Sequence, residues 1–167
     1  YNSDNQRISE TEYLQTEQQV TASTVVMDNP EATASGAWWS STYGSDLVGT
    51  DYLANNAGTG TDLVTWQADV EPGRYQVMAF WNDGDNRAPD ATFTINSVDG
   101  QQQLIATDVQ VDQRINGGSW QSLGEFVFGD SAQVSLSDLA SSGKVIADAI
   151  KLVPLDGVSR TSRNIFD

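Results

Sequence analysis

The sequence predicts an all-β fold, an antiparallel β-sandwich of the jelly-roll type, built as one domain. Short runs rich in β-branched and aromatic residues recur along the chain, and Gly, Asn and Asp separate them. No segment carries the apolar spacing of an amphipathic helix. A chain of 167 residues can bury a core without cross-links, which suits a sequence that contains no cysteine.

The predicted strands alternate apolar and polar residues, so that one face of each is directed into the core. In the run 62–70, for example, Val64 and Trp66 share a face, which assigns Trp66 to the core. A short turn is expected at 29–33, after the first strand. The predicted strands span residues 24–27, 62–70, 74–81, 92–98, 104–111, 123–128, 133–139 and 145–153.

We expect the sandwich to occupy residues 24–155, between a polar leader at 1–23 and a polar tail at 156–167. Leader and tail contain few apolar anchors, a composition typical of segments outside a core. The chain begins at Tyr1 instead of Met, and no transmembrane or signal-peptide run is present. These features favour a processed, secreted protein that does not insert into a membrane.

The composition excludes several kinds of catalysis. The chain has no histidine and no cysteine, so it lacks Ser-His-Asp and Cys-His mechanisms and most zinc sites. A small lyase or hydrolase that works through carboxylates remains a third hypothesis, although no spacing marks a pair of them. We therefore expect a protein that binds and is not an enzyme.

The charge balance excludes two classes of partner. With 8 basic and 23 acidic residues, the net charge is -15, and the cations are scattered along the sequence. Nucleic acids and anionic membranes normally require a concentrated basic patch. We expect neither as a partner.

The residues that suggest a binding site lie in loops 34–60, 82–87 and 113–120. Aromatic faces stack on sugar rings, while amide and guanidinium groups bind hydroxyls, so this mixture indicates glycan recognition. The alternative is that a tryptophan plugs the core, and the sequence leaves both roles open for Trp39, Trp81 and Trp120. The candidate ligand-binding residues are Trp39, Tyr43, Tyr52, Asn86, Arg87, Gln113, Asn116 and Trp120.

One acidic residue is expected in the core. Asp148 alternates with Ile146 and Ile150, which places it on the buried face of the run 145–153. A buried carboxylate needs a cation or several donors, and Arg87 is the first candidate partner, with a structural calcium the second.

A second calcium candidate, in which Asp83 and Asp85 are the ligands, is weak because the loop lacks the twelve-residue spacing of an EF-hand. We expect no other cofactor.

The loops and the last strand together resemble the golvesin / xanthan-lyase carbohydrate-binding-like domain over about residues 25–154. The matching stretches are 36–41, 49–52, 64–66, 72–77, 86–88, 112–113, 116–120, 123–124 and 145–149. The resemblance implies a jelly-roll module of secreted bacterial polysaccharide lyases, peptidases and other exported proteins, with the task of attaching its parent protein to glycans.

Two hypotheses of function follow. The first is a secreted, non-catalytic carbohydrate-binding module whose partner is a polysaccharide. A neutral or calcium-bridged glycan fits better than a bare polyanion, which the net charge would repel. The second is a structural subunit of an extracellular filament, sheath or surface layer that assembles with other copies of itself. Residues 10–22 or 158–166 would then form a β-ladder with a neighbouring copy.

Overall fold

The computed structural model describes residues 18–155 and 159–162 of the chain. Within that part all pairings between strands are antiparallel, and the predicted all-β antiparallel sandwich is confirmed. In chain order the strands are β1 (Gln18–Thr21), β2 (Val25–Asp28), β3 (Thr33–Ser35), β4 (Trp39–Ser41), β5 (Tyr52–Asn56), β6 (Leu63–Asp69), β7 (Gly73–Phe80), β8 (Ala91–Val98), β9 (Leu104–Val111), β10 (Gln121–Phe128), β11 (Ser131–Ser137), β12 (Lys144–Ala147), β13 (Ala149–Pro154) and β14 (Ser159–Ser162).

Two sheets enclose the core. A four-stranded sheet has the order β10-β7-β13-β2, and a five-stranded sheet has the order β3-β6-β11-β8-β9. Their inward residues form one cluster in which Val77 and Ile150 of the first sheet join Trp66 and Ile95 of the second. Burial of this apolar surface is the main stabilising contribution. A smaller sheet, β12-β5-β4, lies in the part of the chain that carries the candidate loops.

The structure contains all of the predicted strands, with changes at their ends and one interruption. The run 145–153 is two strands, because the ladder breaks at Asp148: β12 pairs with β5, whereas β13 pairs with β7 and β2. The segment 34–60 was expected to be a loop, yet it contains β4 and β5. These short strands are surrounded by Gly, Ser and Asn, so the sequence pattern did not reveal them.

The turn expected at 29–33 is a single 3-10 turn over Asn29–Glu31. Asp28 caps it, because its Oδ1 accepts a hydrogen bond from the Asn29 amide at 2.8 Å. Glu31 completes a capping box by accepting a hydrogen bond from the Asp28 amide at 3.0 Å. The turn therefore fixes the direction in which the chain leaves β2.

The two ends of the described chain meet. Strand β1 pairs with β14 in an antiparallel ribbon of its own, in register from Gln18 opposite Ser162 to Thr21 opposite Ser159. Parts of the polar leader and tail thus pair with each other inside one chain. Residues 10–17, 158 and 163–166, which were also expected to take part in assembly, lie outside the described residues.

The described residues contain no helix long and apolar enough to span a membrane.

We predict that the Trp66→Ala variant loses about 3–5 kcal/mol of unfolding free energy, because Trp66 is fully buried at the centre of the core. The Leu104→Ala variant is the control. Leu104 is 81% exposed on β9, so its loss should change stability by less than about 0.5 kcal/mol. Urea unfolding of both variants measures the difference, and equal losses would contradict the assignment of the core.

Candidate functional site

Loops 82–87 and 113–119 are joined by hydrogen bonds at one end of the sandwich. Asp83 Oδ2 accepts a hydrogen bond from the Gly117 amide at 2.8 Å. Trp81 contributes two more links: its Nε1 donates to the Ile115 carbonyl at 3.1 Å, and its own carbonyl accepts from the Gly118 amide at 2.9 Å. Trp81 is buried, so it anchors both loops from below.

Loop 42–50 closes over the same end. Gly44, with a φ of 103°, brings the backbone against the side chain of Asn82, and a Cβ at this position would overlap the amide group. Gly118, with a φ of 73°, approaches Asp46 in the same way. The loops therefore converge, as the sequence suggested for a binding site.

A buried network lies under these loops, and we call Tyr52, Asn82, Asn86 and Arg87 the tyrosine–arginine cluster. Arg87 is 6% exposed. Its Nε donates to the Asn82 carbonyl at 3.0 Å and its Nη2 to Asn82 Oδ1 at 2.6 Å. Its Nη1 donates to Asn86 Oδ1 at 2.9 Å.

Tyr52 links this cluster to the loop above it. The Tyr52 hydroxyl accepts a hydrogen bond from Arg87 Nη2 at 3.0 Å and donates to the Tyr43 carbonyl at 3.0 Å. The Arg87 guanidinium also lies 5.6 Å from the centre of the Tyr52 ring, within cation–π range. The cluster thus fixes the backbone of Tyr43.

Two aromatic rings reach solvent near this cluster. Tyr43 is 73% exposed and Trp39 is 39% exposed. Lys144 Nζ lies 5.7 Å from the centre of the Trp39 ring and donates to Asn56 Oδ1 at 3.4 Å. The Lys144 amide donates to the Asn86 carbonyl at 2.9 Å. Contacts therefore run without a break from Trp39 to the tyrosine–arginine cluster and on to Tyr43.

Two of the predicted ligand-binding residues, Gln113 and Tyr52, are buried and have structural roles. Gln113 is 0% exposed, because its Nε2 donates to the Ile146 carbonyl at 2.9 Å and its Oε1 accepts from the Ile146 amide at 2.8 Å. Gln113 closes the core against β12. The prediction that Gln113 binds the ligand is therefore corrected to a structural role. Tyr52 is also buried and positions Tyr43 without facing a ligand itself.

Neither Trp120 nor Asn116 has a described contact with the tyrosine–arginine cluster. Trp120 packs edge-on against Phe80, with ring centres 5.4 Å apart, and Lys151 Nζ lies 4.6 Å from the centre of the Trp120 ring. Phe80 and Lys151 belong to β7 and β13, so these contacts are to the four-stranded sheet. Asn116 is exposed in loop 113–119 and adopts a left-handed φ of 61°.

Asp148 is 1% exposed at the break between β12 and β13, and its expected pairing with Arg87 is wrong. All the side-chain contacts described for Arg87 are to the tyrosine–arginine cluster. Asp148 Oδ2 instead accepts a hydrogen bond from the Val48 amide at 3.0 Å, and its Oδ1 has no hydrogen-bond partner among the described residues. The strand breaks at Asp148. The alternation of apolar and polar residues along the run 145–153 therefore predicted the wrong loop opposite this carboxyl group.

Burial, together with the neighbouring carboxyl groups of Asp28 and Asp51, raises the pKa of Asp148 to about 8, although the hydrogen bond from the Val48 amide acts in the opposite direction. Burial also raises the pKa of Asp28, while the hydrogen bond from the Asn29 amide lowers it. Asp148 therefore carries a proton at neutral pH, beside the carboxyl group of Asp28. A proton here performs the neutralising role that the sequence assigned to a cation.

The calcium prediction gains no support from the geometry. The part of the chain that the structure describes contains no group of three or more acidic side chains placed to hold a metal ion. Asp83 uses its carboxylate to hold Gly117, and Asp85 is exposed to solvent. Calcium binding remains a prediction.

Comparison with known proteins identifies the family of this chain. Residues 25–154 match the profile of the Golvesin C-terminal domain. The chain belongs to this family. The resemblance expected from the sequence is therefore confirmed, over the span expected for it.

Three similar proteins place this golvesin domain among known folds. Xanthan lyase of Bacillus sp. (strain GL1) is 33% identical over 139 residues, which are 77% of this chain and 14% of the lyase. The structure of Paenibacillus xanthan lyase matches 80% of this chain and 13% of that protein at 33% identity, with a TM-score of 0.70. The CBM35 from Cellvibrio japonicus Abf62 matches at 16% identity and a TM-score of 0.55, covering 86% of this chain and 100% of that module, and shows the fold alone.

Sequence reasoning missed three residues that shape the golvesin site. Asn82 and Lys144 both contact the candidate residues, and Asp28 borders Gly49 in loop 42–50 and contributes to the raised pKa of Asp148. Asn82 precedes Asp83 in loop 82–87, which was predicted to carry the binding site, so its amide side chain could have been included among the candidates. Lys144 and Asp28 lie at strand ends far from the loops in sequence, and only the strand pairing brings them there.

We predict that stability falls between about pH 4 and pH 8, because the folded state keeps a proton on Asp148 that the unfolded chain releases. The Asp148→Asn variant carries an uncharged side chain of the same shape. Each pKa unit corresponds to about 1.4 kcal/mol, so the variant should exceed the wild type in stability by an amount that grows from pH 5 to pH 8.

Urea unfolding at several pH values measures this difference. If calcium neutralises Asp148, calcium will raise the Tm of the wild type at pH 8, and the Asn variant will be the less stable of the two. That result would contradict a proton on Asp148.

Proposed function

We propose that this chain is a secreted, non-catalytic glycan-binding module whose site is the loop end of the sandwich. The observation that carries the proposal is that two exposed rings, Tyr43 and Trp39, lie on segments tied to the buried tyrosine–arginine cluster. The Tyr43 carbonyl accepts a hydrogen bond from Tyr52, and Lys144, which lies over the Trp39 ring, bonds to the Asn86 carbonyl. Exposed aromatic rings offer flat apolar faces to a ligand, and a rigid support beneath them favours recognition.

The mode of binding follows from the chemistry of these groups. The faces of Tyr43 and Trp39 stack on the C–H faces of sugar rings, and the amide of Asn86 bonds to hydroxyl groups. Because the cluster beneath is already ordered, binding does not have to immobilise these loops. The site is open and polar, so the affinity for a single sugar is modest.

The geometry also supports a non-catalytic role. A carboxyl group that acts as a general acid near neutral pH needs a raised pKa and access to the substrate. Among the described residues, the carboxyl group whose pKa is raised to about 8 is that of Asp148, and it is buried beneath loop 42–50. The absence of histidine and cysteine removes imidazole and thiolate groups as catalytic bases and nucleophiles.

Attachment of a larger protein to a glycan is part of this proposal. The chain spans about 14% of the length of the xanthan lyase that it resembles, in which the matched segment accompanies other regions. A binding module of this size would concentrate its parent protein on a polysaccharide and raise the effective concentration of the substrate.

We predict that Tyr43→Ala and Trp39→Ala each weaken retention on immobilised polysaccharide by about tenfold, since stacking of one ring contributes about 1–1.5 kcal/mol. The melting temperature should stay within a few degrees of the wild type, because both rings are exposed. Affinity electrophoresis across a panel of glycans measures retention, with Leu104→Ala as the control for loss of exposed apolar surface.

Trp120→Ala separates the two tryptophan environments. Since Trp120 packs on Phe80 and Lys151, we expect the variant to lower the Tm and to retain glycan binding at the loop end. Loss of binding without loss of stability would instead return Trp120 to the site.

A structural subunit of an extracellular filament is the second candidate. The observation that favours it is β9, which ends the five-stranded sheet with Leu104 exposed and has no outer partner strand among the described residues. The pairing of β1 with β14 within one chain opposes it, because these segments were the expected connectors. Sedimentation velocity at high concentration tests it: we expect a monomer, and concentration-dependent assembly that Leu104→Lys abolishes would favour the filament.

A further inference from the structure

A chemically labile pair of residues, Asn116 and Gly117, lies where loops 82–87 and 113–119 meet. Asn116 is the only asparagine in the sequence that is followed by glycine. In such a pair the glycine amide nitrogen can attack the side-chain carbonyl carbon of the asparagine, because glycine has no side chain to obstruct the approach. Asn116 is exposed, so water reaches the reacting atoms. The pair therefore has the composition and the exposure of a deamidation site.

The geometry of the loop junction requires both residues. Asn116 has a left-handed φ of 61°, a conformation that asparagine adopts more readily than most residues other than glycine. A Cβ at Gly117 would overlap the Trp81 carbonyl oxygen and the Asp83 amide nitrogen. Glycine is thus the residue that fits between the two loops. The labile pair is a consequence of how closely the loops approach each other.

One carboxylate holds the attacking atom in place. Asp83 Oδ2 accepts a hydrogen bond from the Gly117 amide at 2.8 Å. The Gly117 nitrogen can attack Cγ of Asn116 only if the peptide plane between them turns, and this hydrogen bond opposes the turn. A hydrogen bond to a charged acceptor is about twice as strong as a neutral one. The Gly118 amide donates to the Trp81 carbonyl at 2.9 Å, so the backbone is fixed on the other side of Gly117 as well.

We propose that Asn116 is a site of spontaneous deamidation, that Asp83 controls its rate, and that the reaction separates the two loops. In the first step the Gly117 nitrogen forms a bond to Cγ of Asn116 and the bond from Cγ to Nδ2 breaks. The proton of the attacking nitrogen leaves with Nδ2 as ammonia. Water then opens the cyclic imide at either of its two carbonyl carbons. The products are aspartate and isoaspartate at position 116, and water is the co-reactant.

Both products disturb the contact that protects the site. Isoaspartate carries the main chain through the former side chain and adds a methylene group to it, which displaces the Gly117 amide from Asp83. Aspartate adds a carboxylate next to Gly117, while Asp46 borders Gly118, so like charges meet at the junction and repel one another. The junction of the loops therefore weakens as the protein ages, whatever ligand the loop end binds.

Peptide mass spectrometry after incubation measures the rate of deamidation. The folded protein is compared with the same chain unfolded in urea, at the same pH and temperature, which gives the intrinsic rate of the Asn–Gly pair. We expect the folded wild type to react about tenfold more slowly or slower still, since one hydrogen bond to a charged group supplies a factor of this size. Equal rates in the folded and unfolded states would overturn the proposal.

Four variants locate the control of the rate. Asp83→Ala removes the acceptor of the Gly117 amide, and its folded form should react about tenfold faster than the wild type. Asp83→Asn keeps an uncharged acceptor and should react at an intermediate rate. Asp85→Ala is the matched control, because Asp85 is an exposed carboxylate of the same loop without a described contact to Gly117, and it should react like the wild type. Asn116→Gly keeps the left-handed φ without the amide and should show no deamidation in this peptide.

Hydrogen exchange measures the effect on the junction. In the separated isoaspartate form, the Gly117 amide should exchange about tenfold faster than in the unreacted protein, because its hydrogen bond is lost. Asn116→Asp reports the effect of the added charge without the change in the main chain. A folded Asp83→Ala variant that reacts at the wild-type rate would overturn the role of Asp83. Unchanged exchange in the isoaspartate form would overturn the separation of the loops.

Discussion

The loop end depends on one buried charge, the guanidinium of Arg87. It bonds to two residues of its own loop and, through Tyr52, to β5 and to the backbone of Tyr43. Three separate segments are thereby held by one side chain, and the exposed rings gain a rigid support. Removing this charge would leave several buried oxygens without donors, which is more damaging than the loss of a single contact.

A second buried polar group, Asp148, holds the opposite side of the same loop. It accepts a hydrogen bond from the amide of Val48, and Gly49 brings the backbone against Asp28. The two anchors differ in how they avoid an unpaired charge. Asp148 keeps a proton, whereas Arg87 keeps its charge and is bound by neutral oxygen atoms.

The sequence predicted the sandwich well, because period-two alternation in runs such as 74–81 reports directly on a two-sided sheet. It also selected the loops that converge and five residues that are in fact connected: Trp39, Tyr43, Tyr52, Asn86 and Arg87. The sequence could not distinguish Gln113 from these site residues, because the pattern around a buried amide does not differ from the pattern around an amide that binds a ligand. The predicted partner of Asp148 was wrong for a similar reason. The chain passes from one sheet to another at that residue, and nothing in the local sequence indicates the change.

The central claim is that sugar binds at the loop end through the groups that Arg87 organises. Mapping of amide shifts on the wild-type protein, with an oligosaccharide from the polysaccharide that retains it, tests this claim most directly. The account predicts that the largest shifts occur in residues 42–46, 82–87 and 144, with little change on the face of the four-stranded sheet. Shifts concentrated around Trp120 and Lys151, with none near Arg87, would contradict it.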